Sequence, residues 1–70
     1  MRISELGESI KNRRKVLAIT QAHLAELAEI SVNTLSKLER GESNPSVEVV
    51  EKIFDILGFE LVIQIKKMNN

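Results

Sequence analysis

The sequence predicts a small all-α bundle closed by one C-terminal β-strand that pairs across a homodimer. Three observations predict it. Between Thr20 and Gly41 the apolar residues fall into two short helical stripes, Leu24-Ala25-Ala28 and Leu35-Leu38, separated by Glu29-Ile30-Ser31. Longer amphipathic stretches flank this pair at residues 3–17 and 46–57. After Gly58 the apolar period changes from helical to alternating.

The first helix carries Ile3, Leu6, Ile10 and Leu17 on one side, with Arg14 on the same stripe four residues after Ile10. Ser4 is placed to cap its start, and Gly7 weakens its first turn by up to ~1 kcal/mol relative to Ala. The basic run Lys11, Arg13, Arg14 and Lys15 occupies the last turns, where cations complement the helix dipole. A share in phosphate contact is the second use open to that run.

Thr20 caps the second helix, with Gln21 as its first residue. A capping box would want Glu or Gln at position 23, which holds His23, read here as an exposed helix residue. Ser31 caps the third helix, which turns Val32, Asn33, Ser36, Lys37 and Arg40 toward solvent. A short helix with such a polar face and a reaching cation fits the DNA major groove.

After Gly41, Glu42 to Pro45 form a loop, Ser46 caps the fourth helix, and Val47, Val50, Ile53, Phe54 and Leu57 form its apolar stripe. Glu48, Glu51, Lys52 and Asp55 lie opposite, and Gly58 is the stop. Phe59, Leu61, Ile63 and Ile65 then alternate with Glu60, Val62, Gln64 and Lys66, which reads as a strand. No other stretch reads as its partner, so Phe59, Leu61, Val62, Ile63 and Ile65 are expected to pair with the same strand of a second copy. An irregular tail packed within a monomer is the alternative. Residues 67–70 are expected to fray. The resulting division is a domain over 1–58, a dimerisation strand over 59–66 and the tail.

Composition narrows the function. The 70 residues form one domain, and a chain this short buries only about 60% of the surface its unfolded form exposes, so oligomerisation would add needed stability. There is no Cys, and a lone His23 builds no zinc site, so no metal or cofactor is expected. No nucleophile–base pair or phosphate loop argues for an enzyme. No apolar run approaches the roughly 18 residues of a membrane span, and no signal peptide opens the chain; cytoplasmic residence is the expectation. Net charge is zero, yet residues 1–40 hold seven basic and five acidic residues while 41–70 hold three and five. The domain is no generic polyanion binder, although one basic face remains open to it.

The stretch TQAHLAELAEISVNTLSKLERG resembles the helix-turn-helix of the Cro/phage-repressor (XRE) family. Gln21, Leu24-Ala25, Ala28, Ser31, Leu35, Leu38-Glu39 and Gly41 carry the match, with Arg14 seven residues before Gln21 and Asn44-Pro45-Ser46 after the turn. The resemblance covers residues 3–58, places the helix-turn-helix at 21–40, and implies a lambda-repressor-like bundle of four to five helices. The strand after Gly58 resembles the HipB-like antitoxin branch, whose C-terminal strands pair across the dimer. By this resemblance Ser31, Val32, Asn33 and Lys37 read bases, and Gln21 touches the DNA backbone. Thr20, Thr34, Ser36, Ser43 and Asn44 join Gln21 as expected backbone contacts. Arg14 and Glu39 match a buried ion pair, consistent with Arg14 lying on an apolar stripe where it needs an acceptor. Glu29 and Ala18 stand where the family often has Gly, so Glu29 has to adopt positive φ at a cost on the order of 1 kcal/mol.

These readings point to a sequence-specific, double-stranded DNA-binding repressor that reads a palindromic operator as a homodimer. A narrower version makes it the antitoxin of a toxin–antitoxin operon, with a toxin protein as partner. The alternative is a protein–protein interaction module that keeps the helix-turn-helix scaffold without DNA binding, a reading favoured by zero net charge and by Glu26 and Glu29.

Overall fold

The computed structural model describes residues 2–66. Four helices follow in order, α1 (Ile3–Val16), α2 (Gln21–Leu27), α3 (Val32–Glu39) and α4 (Val47–Leu57). Three of the four starts are capped as their sequences dictate. The hydroxyl of Thr20 accepts from the His23 N–H at 3.0 Å, that of Ser31 from Thr34 at 3.0 Å, and that of Ser46 from Val49 at 3.2 Å. The first helix differs from expectation: Arg2, not Ser4, is its cap residue, and the Glu5 carboxylate reaches back to the Arg2 N–H at 3.5 Å.

All four helices stop in the same way. In α1 the N–H groups of Ala18 and Ile19 bond back to Lys15 and Arg14 carbonyls; in α2 those of Glu29 and Ile30 bond to Glu26 and Ala25. In α3 Gly41 and Glu42 bond to Leu38 and Lys37, and in α4 Phe59 bonds to Phe54. These are Schellman closures, which satisfy orphan carbonyls and require one left-handed residue each. That residue is Ala18 (φ 58°), Glu29 (φ 59°), Gly41 (φ 73°) or Gly58 (φ 77°). Ile19, Ile30 and Phe59, each the next residue, then fold onto the core.

The core is aliphatic: Leu6, Ile10, Leu24, Ala25, Ala28, Leu35, Leu38, Val50, Ile53 and Leu57, with Phe54 at its edge meeting Phe59 edge-on at 5.3 Å. Three residues assigned to apolar stripes lie outside it, Ile3 being only half-buried at the start of α1. Leu17 is the residue past the end of α1 and is 39% exposed, because the chain leaves the helix at Val16. Val47 opens α4 beyond the edge of the core and is 64% exposed.

Gly7 has a structural reason that its helix propensity hides. A Cβ there would overlap the Leu38 carbonyl oxygen and lie 2.9 Å from that of Glu39. The backbone of α1 therefore rests directly on the last turn of α3.

The expected strand at 59–66 is not formed within the single subunit: the described residues contain no strand. A strand is defined by its ladder, and no second segment among the described residues offers backbone groups to one. Phe59 is half-buried, whereas Ile63 and Ile65 are 96% and 98% exposed. Residues 67–70, expected to fray, lie outside the described residues. No helix among the described residues is long and apolar enough to cross a membrane.

The two special backbone sites move stability in opposite directions. Gly7→Ala forces α1 off α3 and lowers unfolding free energy by about 1–3 kcal/mol, whereas Glu29→Gly relieves left-handed strain and raises it by about 1 kcal/mol. Denaturant melts of the two variants against the wild type measure both.

Candidate nucleic-acid interface

The seven-residue α2 and eight-residue α3 are too short to persist alone and are held by their caps and by what they bury. In α3 the inward side chains are Leu35, Leu38 and Glu39, all buried. Helical spacing then leaves Val32, Asn33, Lys37 and Arg40 exposed and Ser36 half-buried on the outer side.

Glu39 is the unusual member of the inner face. Its side chain is 2% exposed, and Arg14 meets it side-on, Nε donating to Oε2 at 2.8 Å and a terminal nitrogen to Oε1 at 3.0 Å. The other terminal nitrogen of Arg14 donates to the Ile19 carbonyl at 3.0 Å. Gln21 Nε2 also donates to Glu39 Oε1, at 2.9 Å. Burial pushes the Glu39 carboxyl up, but hydrogen bonds from Arg14 and Gln21, with the charges of Arg14 and Lys11, outweigh it and hold the group below the usual carboxylate range. The hydrogen bond to Glu39 in turn keeps the Arg14 guanidinium more firmly protonated than a free one, against the opposing effect of burial.

The residues assigned to base reading divide into two kinds. Asn33 and Lys37 are exposed, with no hydrogen bond or ion pair to another described side chain, and Val32 is 46% exposed beside them. The Ser31 hydroxyl serves the helix: besides its cap bond it donates to Thr34 Oγ1 at 2.8 Å. The residues assigned to the DNA backbone are equally mixed. Thr20 and Thr34 are exposed at the starts of α2 and α3, and Asn44 is exposed in the loop. Gln21 has one amide proton on Glu39, and Ser36 accepts from Arg40 at 2.6 Å. The Ser43 hydroxyl oxygen is enclosed and has no hydrogen-bond partner among the described residues.

Half of the basic run in α1 is committed to the fold. Arg14 holds Glu39, and Arg13 Nε donates to the Leu57 carbonyl at 2.8 Å while its guanidinium sits 5.9 Å from the centre of the Phe59 ring. Lys11 and Lys15 remain exposed. No spacing in the sequence links Arg13 to the end of α4, so that role had no local signal. No group of His, Asp and Glu among the described residues is arranged to hold a metal.

A helix pair joined by a four-residue turn, its second member backed by a buried ion pair and offering a polar face, defines a helix-turn-helix domain. Residues 10–63 match the helix-turn-helix family, and the chain belongs to it, with the Cro/phage-repressor pattern in its residues. It is 38% identical over 56 residues to the immunity repressor protein of Bacillus phage phi105, covering 80% of this chain and 39% of that protein. It is 34% identical over 67 residues to the antitoxin PezA of Streptococcus pneumoniae, covering 91% and 42% respectively. The crystal structure of the clp gene regulator ClgR from Corynebacterium glutamicum superposes with a TM-score of 0.79 at 32% identity, over 81% of this chain and 61% of that one. The chain therefore spans less than half the length of these two sequence relatives, and it covers 17% of an HTH-type regulatory protein of Methanococcus vannielii to which it is 39% identical.

The sign of the pH dependence follows from Glu39. A carboxyl held down in the folded state adds stability above its unfolded value of about 4.3, and that contribution is lost as pH falls through the lower folded value. Stability of the wild type therefore holds across neutral pH and falls below about pH 4.3. Glu39→Gln leaves Arg14 with a buried unpaired charge and costs about 3–5 kcal/mol. Thermal melts against pH, with the variant measured near neutrality, check both.

Proposed function

We propose that this domain binds double-stranded DNA as a sequence-specific transcriptional regulator, with α3 in the major groove. The observation that carries the reading is the outer face of α3. Asn33 and Lys37 stand free in solvent on a helix whose inner face is fixed by Leu35, Leu38 and the Arg14–Glu39 pair. Asn33 is suited to bidentate pairing with adenine, Lys37 to guanine O6 or N7, and Val32 to a thymine methyl. Thr20, Thr34 and Asn44, with the amides that open α2 and α3, face phosphates and set register. Gln21 reaches the backbone with the part of its amide that Glu39 leaves free. Ser31 acts by shaping the start of α3 rather than through a free hydroxyl, and the enclosed Ser43 hydroxyl is not offered to a phosphate. Because Arg13 and Arg14 are spent on the fold, few cations are left for phosphates, and salt dependence is modest.

The likeness to a phage immunity repressor supports action as a repressor, and such readers work as two-fold dimers on half-sites about 34 Å apart. The C-terminal segment is the dimer element in this reading. Phe59 and Leu61 sit beside the helices while Ile63 and Ile65, on the same alternating face, have no cover. An antiparallel pair centred on Val62 places Ile63 of the partner subunit beside Leu61 and Ile65 of the partner subunit beside Phe59, so every apolar side chain of that face gains a neighbour. The likeness to an antitoxin supports a toxin protein as a further partner.

Two experiments test these proposals. Asn33→Ala with Lys37→Ala leaves helicity and melting near wild type and abolishes selective footprints on duplexes recovered from a random pool; undiminished footprints refute the base-reading assignment. The chain has no Cys, so Val62→Cys, Leu61→Cys and Ile63→Cys each add a single thiol. Fast disulfide formation by Val62→Cys alone supports the register. Faster reaction at Ile63→Cys refutes it, and a monomer that oxidises at none of the three refutes strand pairing between copies.

A further inference from the structure

The closure of α3 differs from the other three in one respect. Where α1, α2 and α4 place an apolar residue just after the left-handed position, α3 places Glu42. Ile19, Ile30 and Phe59 pack onto the core from that position, whereas Glu42 is exposed and its side chain turns along the end of the helix. Its backbone is not free to drift, since the Glu42 N–H bonds to the Lys37 carbonyl at 2.9 Å and Gly41 is locked at φ 73°. The carboxylate is thus delivered to one place, and there it accepts from Arg40 Nε at 2.7 Å. Arg40 donates at the same time to the Ser36 hydroxyl at 2.6 Å.

Arg40 belongs to the outer face of α3: it follows Lys37 by three residues, Ser36 by four and Asn33 by seven. A guanidinium at that end of a groove-binding helix reaches the phosphates that flank the bases its neighbours read. From this, and resting on the DNA-binding reading above, we infer that Arg40 is a further phosphate contact and that Glu42 is its intramolecular competitor, occupying the guanidinium until a DNA phosphate displaces it. Ser36 orients the guanidinium while it waits. The device limits affinity for DNA of any sequence, because a phosphate competes with a carboxylate already on the guanidinium, whereas the base contacts of Asn33 and Lys37 are untouched. In a chain of zero net charge that gives up Arg13 and Arg14 to its fold, it also leaves discrimination to base edges.

Both partners of the pair are more than half exposed, at 51% and 57%, so substitutions there leave the fold intact. Binding is measured against salt on a duplex selected by the wild type and on an unrelated duplex. Glu42→Gln is expected to tighten binding to both duplexes by up to about five-fold, the most an exposed pair of this kind is worth. The slope of log affinity on log salt stays near the wild type's, since Arg40 neutralises the same phosphate in both complexes. Arg40→Ala weakens both complexes and flattens that slope, and adding Glu42→Gln to Arg40→Ala restores little. An unchanged Glu42→Gln, or an equal gain in the Arg40→Ala background, overturns the inference while leaving the DNA-binding reading in place. A wild type that selects no duplex overturns the reading itself.

Discussion

The carboxylate of Glu39 is the group on which the presentation of α3 depends. A charge that is 2% exposed is destabilising unless its oxygens are satisfied, and here they accept three hydrogen bonds. Two come from Arg14 on α1 and one from Gln21 at the start of α2, so the group is satisfied only when three helices have come together. The aliphatic core supplies the drive to collapse but little direction. The ionic cluster supplies direction, fixing how far α3 is rotated about its own axis and hence which residues it turns outward.

The repeated Schellman closures do the complementary work along the chain. Short helices lose much of their hydrogen bonding to frayed ends, and α2 and α3 have seven and eight residues. A side-chain cap at the start and a left-handed turn at the finish leave them few orphan groups. Where the residue after the turn is apolar it also pins the connection to the core, as Ile19, Ile30 and Phe59 do. Two of the four left-handed positions hold Ala18 and Glu29 rather than glycine, so part of the domain's small stability is spent on backbone strain.

Much of this was legible in the sequence because it is local. Caps at Thr20, Ser31 and Ser46, the stops at Gly41 and Gly58, and the inward positions Leu24, Leu35 and Leu38 follow from spacing within one or two turns. The positive φ of Glu29 was legible only through the resemblance. What escaped was set by contacts distant along the chain. Nothing near Arg13 announces the Leu57 carbonyl, and nothing near Gly7 announces the carbonyls of Leu38 and Glu39. Gln21 and Ser43 were assigned to DNA by position, whereas the one spends part of its amide on Glu39 and the other has its hydroxyl oxygen enclosed. Alternation at 59–66 identified a segment able to form a strand, but a ladder depends on what lies alongside, which a single chain's pattern does not contain.

The bare backbone contact at Gly7 has a consequence for how the domain tolerates change. Core side chains drift over generations, swapping a methyl here for a methylene there, and helices resting on such cushions shift with them. Main-chain carbonyls offer no such give. Where the backbone of α1 at Gly7 meets the carbonyls of Leu38 and Glu39, the tilt of the outward-facing helix is indexed to a rigid stop that no side chain cushions, beside the Arg14–Glu39 pair.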